Sequence, residues 1–206
     1  MQRICISFGA ATPRFALTHM KKLLLTISLL SVTCFAKSQT ASVEKSIFGV
    51  QTGFLGVWVH NESRLSNQIV LRSELGFDSG IWGGDFYDRT GYVFTPVITA
   101  EPRWYYNLGK RESKSKRIDG NSGNFVSFKT SFHPDWFVIS NYENISIVSE
   151  ISIVPTWGIR RNIGKHFNYE AGIGAGYRYI FAKQAGYLEN ESDVAVNAHL
   201  RIGYRF

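Results

Sequence analysis

The carboxy-terminal stretch VAVNAHLRIGYRF, Val194 to Phe206, alternates apolar residues with residues that include Asn, His and two Arg. Successive side chains of a strand leave on opposite faces, so this period of two specifies an extended ribbon with one greasy edge and one ionic edge. The same pattern recurs along the chain. Residues 167–180 put Phe, Tyr, Ala, Ile and Tyr on one side and Asn, Glu, Gly and Arg on the other. Segments 145–160 and 92–106 repeat it, and 68–77 and 124–133 do so more briefly. No stretch of comparable length has helical spacing, so the chain reads as all-β.

A soluble sandwich also alternates, and two features separate it from a membrane barrel. Several segments reach about ten residues, the length that crosses a bilayer at a tilt, whereas globular strands average about five or six. One face also carries charge with no place in a dry core: Glu62, Arg64, Arg72, Glu74, Glu101, Arg103, Lys129, Arg160, Glu170, Arg178, Arg201 and Arg205. The opposite face is aliphatic, with aromatics near the strand ends, among them Trp104, Tyr106, Trp157, Phe167, Tyr177 and Tyr204. Apolar outside, polar inside and aromatic at both rims is the design of an outer-membrane barrel.

Six long strands are evident, at 68–77, 92–106, 124–133, 145–160, 167–180 and 193–206. A bend at Gly53-Phe54-Leu55-Gly56 divides 43–65 into 43–52 and 57–65, making eight and placing both ends of the barrel on one side of the membrane. The expected fold is an eight-stranded antiparallel up-and-down transmembrane β-barrel over residues 39–206. Connections 78–91, 133–144 and 181–192 are expected outside the cell. Asn61 to Asn67, Arg161 to His166 and the basic stretch 107–123 are expected on the periplasmic side. The basic stretch reads as a solvated charge run, with contact to anionic lipid or the cell wall as the alternative.

Residues 20–38 have the anatomy of an export signal: Met20-Lys21-Lys22, an apolar run from Leu23 to Phe35, and small residues at Ala36 and Ser38. Residues 1–19 read as an over-long start or an unstructured extension. The formal charge of +7 is concentrated here, with five basic and no acidic residues in 1–38, which leaves 18 Lys+Arg against 16 Asp+Glu beyond it. No concentrated basic face remains for a nucleic acid. Both cysteines, Cys5 and Cys34, also fall in this leader, so no disulfide framework is expected in the exported chain.

With that leader, the glycine- and aromatic-rich alternation and a last strand ending Leu200-Arg201-Ile202-Gly203-Tyr204-Arg205-Phe206, the chain resembles the small OmpA/OmpX-like outer-membrane β-barrel proteins of Gram-negative bacteria. It is also similar to the barrel domains widespread in the Bacteroidetes. The resemblance implies residence in the cell outer membrane among lipid and lipopolysaccharide. It also implies assembly by the barrel-assembly machinery, which would read Tyr204 and Phe206 as its signal, and a monomeric state.

Eight strands enclose an interior that side chains can fill, so Arg and Glu pairs would plug the pore. The expected role is structural or surface-interacting, through loops carrying Trp82, Phe86, Tyr87, Trp136, Phe137 and Tyr142. Catalytic, cofactor and metal sites are not expected: Asp78, Asp85 and Asp88 fit no metal-loop spacing. A lipid hydrolase would need a serine beside one of His60, His133, His166 or His199, and local spacing places none beside His199. A barrel enzyme acting on lipid and a secreted lipocalin-like carrier are the alternatives.

Overall fold

The computed structural model describes residues 41–54, 56–84 and 89–206; the leader lies outside these, as do Leu55 and residues 85–88. The strands are β1 (Ser46–Gly53), β2 (Gly56–Arg64), β3 (Ile69–Trp82), β4 (Gly91–Trp104), β5 (Asn124–His133), β6 (Ile139–Ser140), β7 (Glu150–Ile163), β8 (Phe167–Ile180) and β9 (Glu191–Arg205). They form one antiparallel sheet in the order β3-β2-β1-β9-β8-β7-β5-β4-β6. Pairing of β3 with β4 closes eight of the nine into a ring, with the two-residue β6 annexed to β4 at Val93 and Phe94.

The alternation read from the sequence appears as alternating burial. Trp58, His60 and Glu62 are buried on β2 while Val57 and Val59, which alternate with them, are exposed, and Val154, Thr156, Gly158 and Arg160 are the buried set on β7. The buried set points into the ring. Arg160 on β7 reaches Glu62 on β2 at 2.5 Å, and these strands stand on opposite sides of the ring, four places apart.

The strands run alternately, so the β1–β2, β3–β4, β5–β7 and β8–β9 connections share one rim, here the upper. The β2–β3, β4–β5 and β7–β8 connections share the lower rim with Ala41 and Phe206. The bend at 53–56 is a hairpin: Gly53 pairs with Gly56, whose φ of +146° suits glycine.

Among the strand boundaries that differ from the sequence reading, three have a clear physical reason. β1 begins at Ser46 rather than 43, because Val43 donates its backbone N–H to Asn67 and packs below the ring with Ala41, Val70, Tyr105, Leu108 and Phe125. β3 extends to Trp82, since the opposite strand supplies Gly91 to Val93 as partners for its last residues. The segment 145–149 alternates but is not a strand: β5 ends where His133 meets Glu150, and nothing continues β5 upward for 145–149 to pair with.

The 107–123 connection is split in character. A one-turn helix, Leu108–Glu112, buries Leu108 in the lower apolar cluster, and Lys110 and residues 112–117 are exposed. The solvated reading fits that part. The following turn, Asp119–Asn121, instead tucks under the ring with Gly120 and Asn121 buried. Gly120 has φ of +57° and lies against Asn162 and Arg205, so a side chain there meets both strain and a clash.

Candidate functional site

Eight of the twelve charged residues singled out in the sequence meet in one layer inside the ring. Four Arg (72, 103, 160 and 201) and four Glu (62, 74, 101 and 170) are each no more than 3% exposed. Strand register builds the layer, because opposite charges stand directly across from each other. Glu62 faces Arg72, which faces Glu101, and on the far side Arg160 faces Glu170, which faces Arg201. Such cross-strand pairs are the local unit of sheet stability.

Contacts across the interior join the two arcs. Arg103 makes a paired contact with Glu170, Nη1 to Oε2 and Nη2 to Oε1 at 2.8 Å each, and donates to Glu101 at 2.8 Å. Arg201 holds both oxygens of Glu74, at 2.9 and 3.1 Å, and Arg72 also binds Glu74 through Nε. Glu62 is the hub: it accepts from Arg160 at 2.5 Å, Arg72 at 3.1 Å, the Tyr105 hydroxyl at 3.3 Å and Asn121 Nδ2 at 2.8 Å, with Arg103 at 3.4 Å. Burying an ion away from water costs several kcal/mol, about, per charge, so a layer like this persists only when charges balance and hydrogen bonds are supplied. Four against four satisfies the first condition. Gln51 accepts from Arg72 at 2.6 Å and donates to Asn168 at 3.0 Å, extending the hydrogen bonding. The rings of Phe125 and Trp58 lie under the guanidiniums of Arg103 and Arg201, at 4.2 and 3.8 Å.

The other four charged residues lie elsewhere. Arg64 is exposed at the end of β2, where the strand has left the ring's interior. Arg205, half-buried at the lower rim, binds Glu44 and Asp119 at 3.0 Å each and so ties β9 to the tucked turn. Arg117 also hydrogen-bonds Asp119, and that bond holds the Asp119 carboxyl below its ordinary pKa. Arg178 and Lys129 belong to the upper half of the interior. There Arg178 meets Asp193 at 2.9 Å and Glu150 at 3.5 Å.

That upper half is a cavity of about 410 Å³ lined by polar and apolar groups alike, with Trp58 and Arg201 among them. His133 bridges its walls, with Nε2 2.9 Å from Asp78 and Nδ1 3.4 Å from Glu150. Trp58 donates from Nε1 to the other Asp78 oxygen at 2.8 Å. The sequence reading assigned Asp78 and His133 to loops, because it ended β3 at 77 and treated 133 as a loop start. Inward parity carried through to Asp78 and His133 is the signal that would have found the cluster. The same parity holds for His60, fully buried beside Gly49, and for Gln51.

His199 sits beside Glu170 at 3.3 Å and Asn197 at 3.3 Å, over Gly172, where an added Cβ would meet its ring. Among the described residues no serine hydroxyl hydrogen-bonds a histidine ring, and no group of three or more His, Cys, Asp or Glu is arranged to hold a metal ion. Asp85 and Asp88 lie outside the described residues.

At the upper rim, Trp82 packs on Tyr142 with centroids 5.7 Å apart, and Tyr142 donates its hydroxyl to the Arg89 carbonyl at 2.7 Å. Phe137 packs on Phe77, and Trp136 stays exposed. Phe86 and Tyr87 lie outside the described residues. At the lower rim, Tyr204 and Phe206 join Phe48, His166 and Phe167 in one aromatic cluster on the outer face. No protein-family model, curated protein or solved structure matches this chain.

Proposed function

We propose that this protein is an integral outer-membrane β-barrel with a side-chain-filled interior, serving a structural or surface-interaction role through its upper rim. One observation carries the reading: the closed ring is inside-out relative to a water-soluble protein. Its enclosed middle holds four buried Arg–Glu sets, while Val59, Leu75, Phe128, Ile173, Val196 and Leu200 face outward and are exposed. Soluble monomers rarely expose apolar patches beyond a few hundred Å², whereas here the exposed apolar positions recur on every ring strand. Hydrocarbon is the solvent that removes the conflict, since each ring strand pairs along most of its length on at least one flank.

β3, β4, β7 and β8 span 14 residues each, more than the roughly 9–11 that cross a bilayer. The upper rim then faces the cell exterior with the Trp82, Tyr142, Phe77 and Phe137 cluster, and the lower rim faces the periplasm. The charge layer and the tucked turn beneath it block the axis, so the barrel is closed to solute diffusion.

Fractionation of a Gram-negative host expressing the full chain tests this. The protein is expected in the outer-membrane pellet, released only by detergent, with faster gel migration before boiling than after. Release with the periplasmic fraction without detergent would contradict it and favour a soluble carrier.

A further inference from the structure

The ring is not equally tall all round. β1 pairs with β9 only where Gly49–Gly53 meets Arg205–Arg201, and the β2 end of the hairpin stops at Gly56 opposite Asp78. β9 continues up to Glu191 and β3 continues up to Trp82, each still paired on its other flank. Among the described residues, therefore, Glu191–Leu200 of β9 and Ser79–Trp82 of β3 face each other across a notch with no strand between them. Two strands are missing there, so three inter-strand spacings of about 4.8 Å give a gap of roughly 14 Å.

The notch reaches down into the apolar belt. Val194, Val196 and Leu200 on the same part of β9 point outward and are 65–72% exposed. On the membrane reading proposed above, on which this inference rests, the free edge of β9 lies in hydrocarbon, where unpaired backbone groups cost several kcal/mol, about, each.

Two cavities meet at the notch, and their chemistry differs. A groove of about 500 Å³ runs over the outer wall, lined by Phe54, Trp157, Ala171, Ile173 and Leu200, and it is almost wholly apolar. The cavity of about 410 Å³ inside is of mixed lining, with Lys129, Ser131, Ser152 and Asn197 on its walls. Trp58, Ala198, His199 and Arg201 line both, so the two adjoin at the notch. Inside, Asp78 and Glu150 are engaged by His133, and Arg201 is engaged by Glu74. Lys129 alone among the cavity's cations has no ion pair or hydrogen bond among the described residues.

An apolar trough outside, beside a gap in the wall and a chamber whose one lysine makes no ion-pair contact, is complementary to one ligand shape. We propose that the notch binds a long-chain fatty acid, its carboxylate drawn in toward Lys129 and its chain lying in the outer groove against Ala171 and Ala198. The small side chains at those two positions give the groove its depth. The upper wall of the notch is open at the rim, so the ligand can enter from the membrane plane without parting any strand pair.

The test uses the full-length exported protein in phosphatidylcholine nanodiscs, with a fluorescent long-chain fatty acid and its methyl ester as probes. Saturable binding of the acid is expected, with the ester at least tenfold weaker. Lys129→Gln should weaken the acid at least tenfold and leave the ester unchanged. Ala198→Phe, which fills the groove, should weaken both. Unboiled gel mobility of each variant reports that the ring has formed, so failure of the membrane reading is seen separately from failure of binding. Equal affinity for acid and ester, or indifference to both substitutions, would overturn the proposal. So would stoichiometric disulfide dimers of Val196→Cys without saturable binding, which would show a second copy closing the notch.

Discussion

Replacing Glu62 with alanine is expected to cost about 3–5 kcal/mol of folding free energy, the range seen when one partner of a buried ion pair is removed. Glu62 serves three buried guanidiniums, those of Arg72, Arg103 and Arg160, and also holds Asn121 of the turn that closes the ring from below. Its loss leaves four positive against three negative charges in a buried layer, and it frees the turn. Urea unfolding in detergent micelles or vesicles, followed by tryptophan fluorescence, measures the change. Because these residues act as one network, adding Arg160→Ala should restore part of the loss rather than add to it. A loss below about 1 kcal/mol would mean that water reaches the layer and screens it.

Ile173→Arg is expected to cost about 2–4 kcal/mol in a bilayer, the range for a cationic residue on the lipid face near the midplane. Ile173 lies mid-strand on β8, points outward and is 63% exposed. On a soluble protein a substitution this exposed would change stability by no more than about 0.5 kcal/mol. Leu188→Arg is the control: Leu188 is 94% exposed in the β8–β9 connection, above the strands, and the same charge there should be close to neutral. The difference between the two variants in vesicle refolding separates lipid from water as the surrounding solvent.

The sides of the ribbons were legible in the sequence because a period of two is local: a single strand carries its own record of which residues face together. Most of the charge layer followed from that alone. What was illegible depends on neighbours distant in sequence. Arg64 has the right parity but lies where β2 has run past the enclosed space, and only the neighbouring strands define where that space stops. The alternation of Ile145, Ile147 and Ser149 is as good as that of a strand, yet no partner edge exists at that height. Val43 looked like the start of β1 because an apolar residue packed under a ring and an apolar residue in a strand read alike. The tucked Asp119–Asn121 turn gave no periodic signal at all, and Asn121 enters the site through Glu62, a residue 59 positions away. The notch is likewise a matter of unequal strand heights, which register alone sets.

Sidedness itself can be read directly by nitroxide accessibility in phosphatidylcholine vesicles. Residues 41–206 contain no cysteine, so single Cys labels can be placed one at a time along β5 without background. The outward set is Val126, Phe128 and Thr130, and the inward set is Lys129 and Ser131. The outward labels are predicted to collide with oxygen, which concentrates in lipid, and to be shielded from a water-soluble nickel relaxant, with the inward labels showing the reverse. Nickel access at Val126 and Phe128 equal to that at an upper-rim site such as Trp136 would contradict the account, placing the apolar face in water.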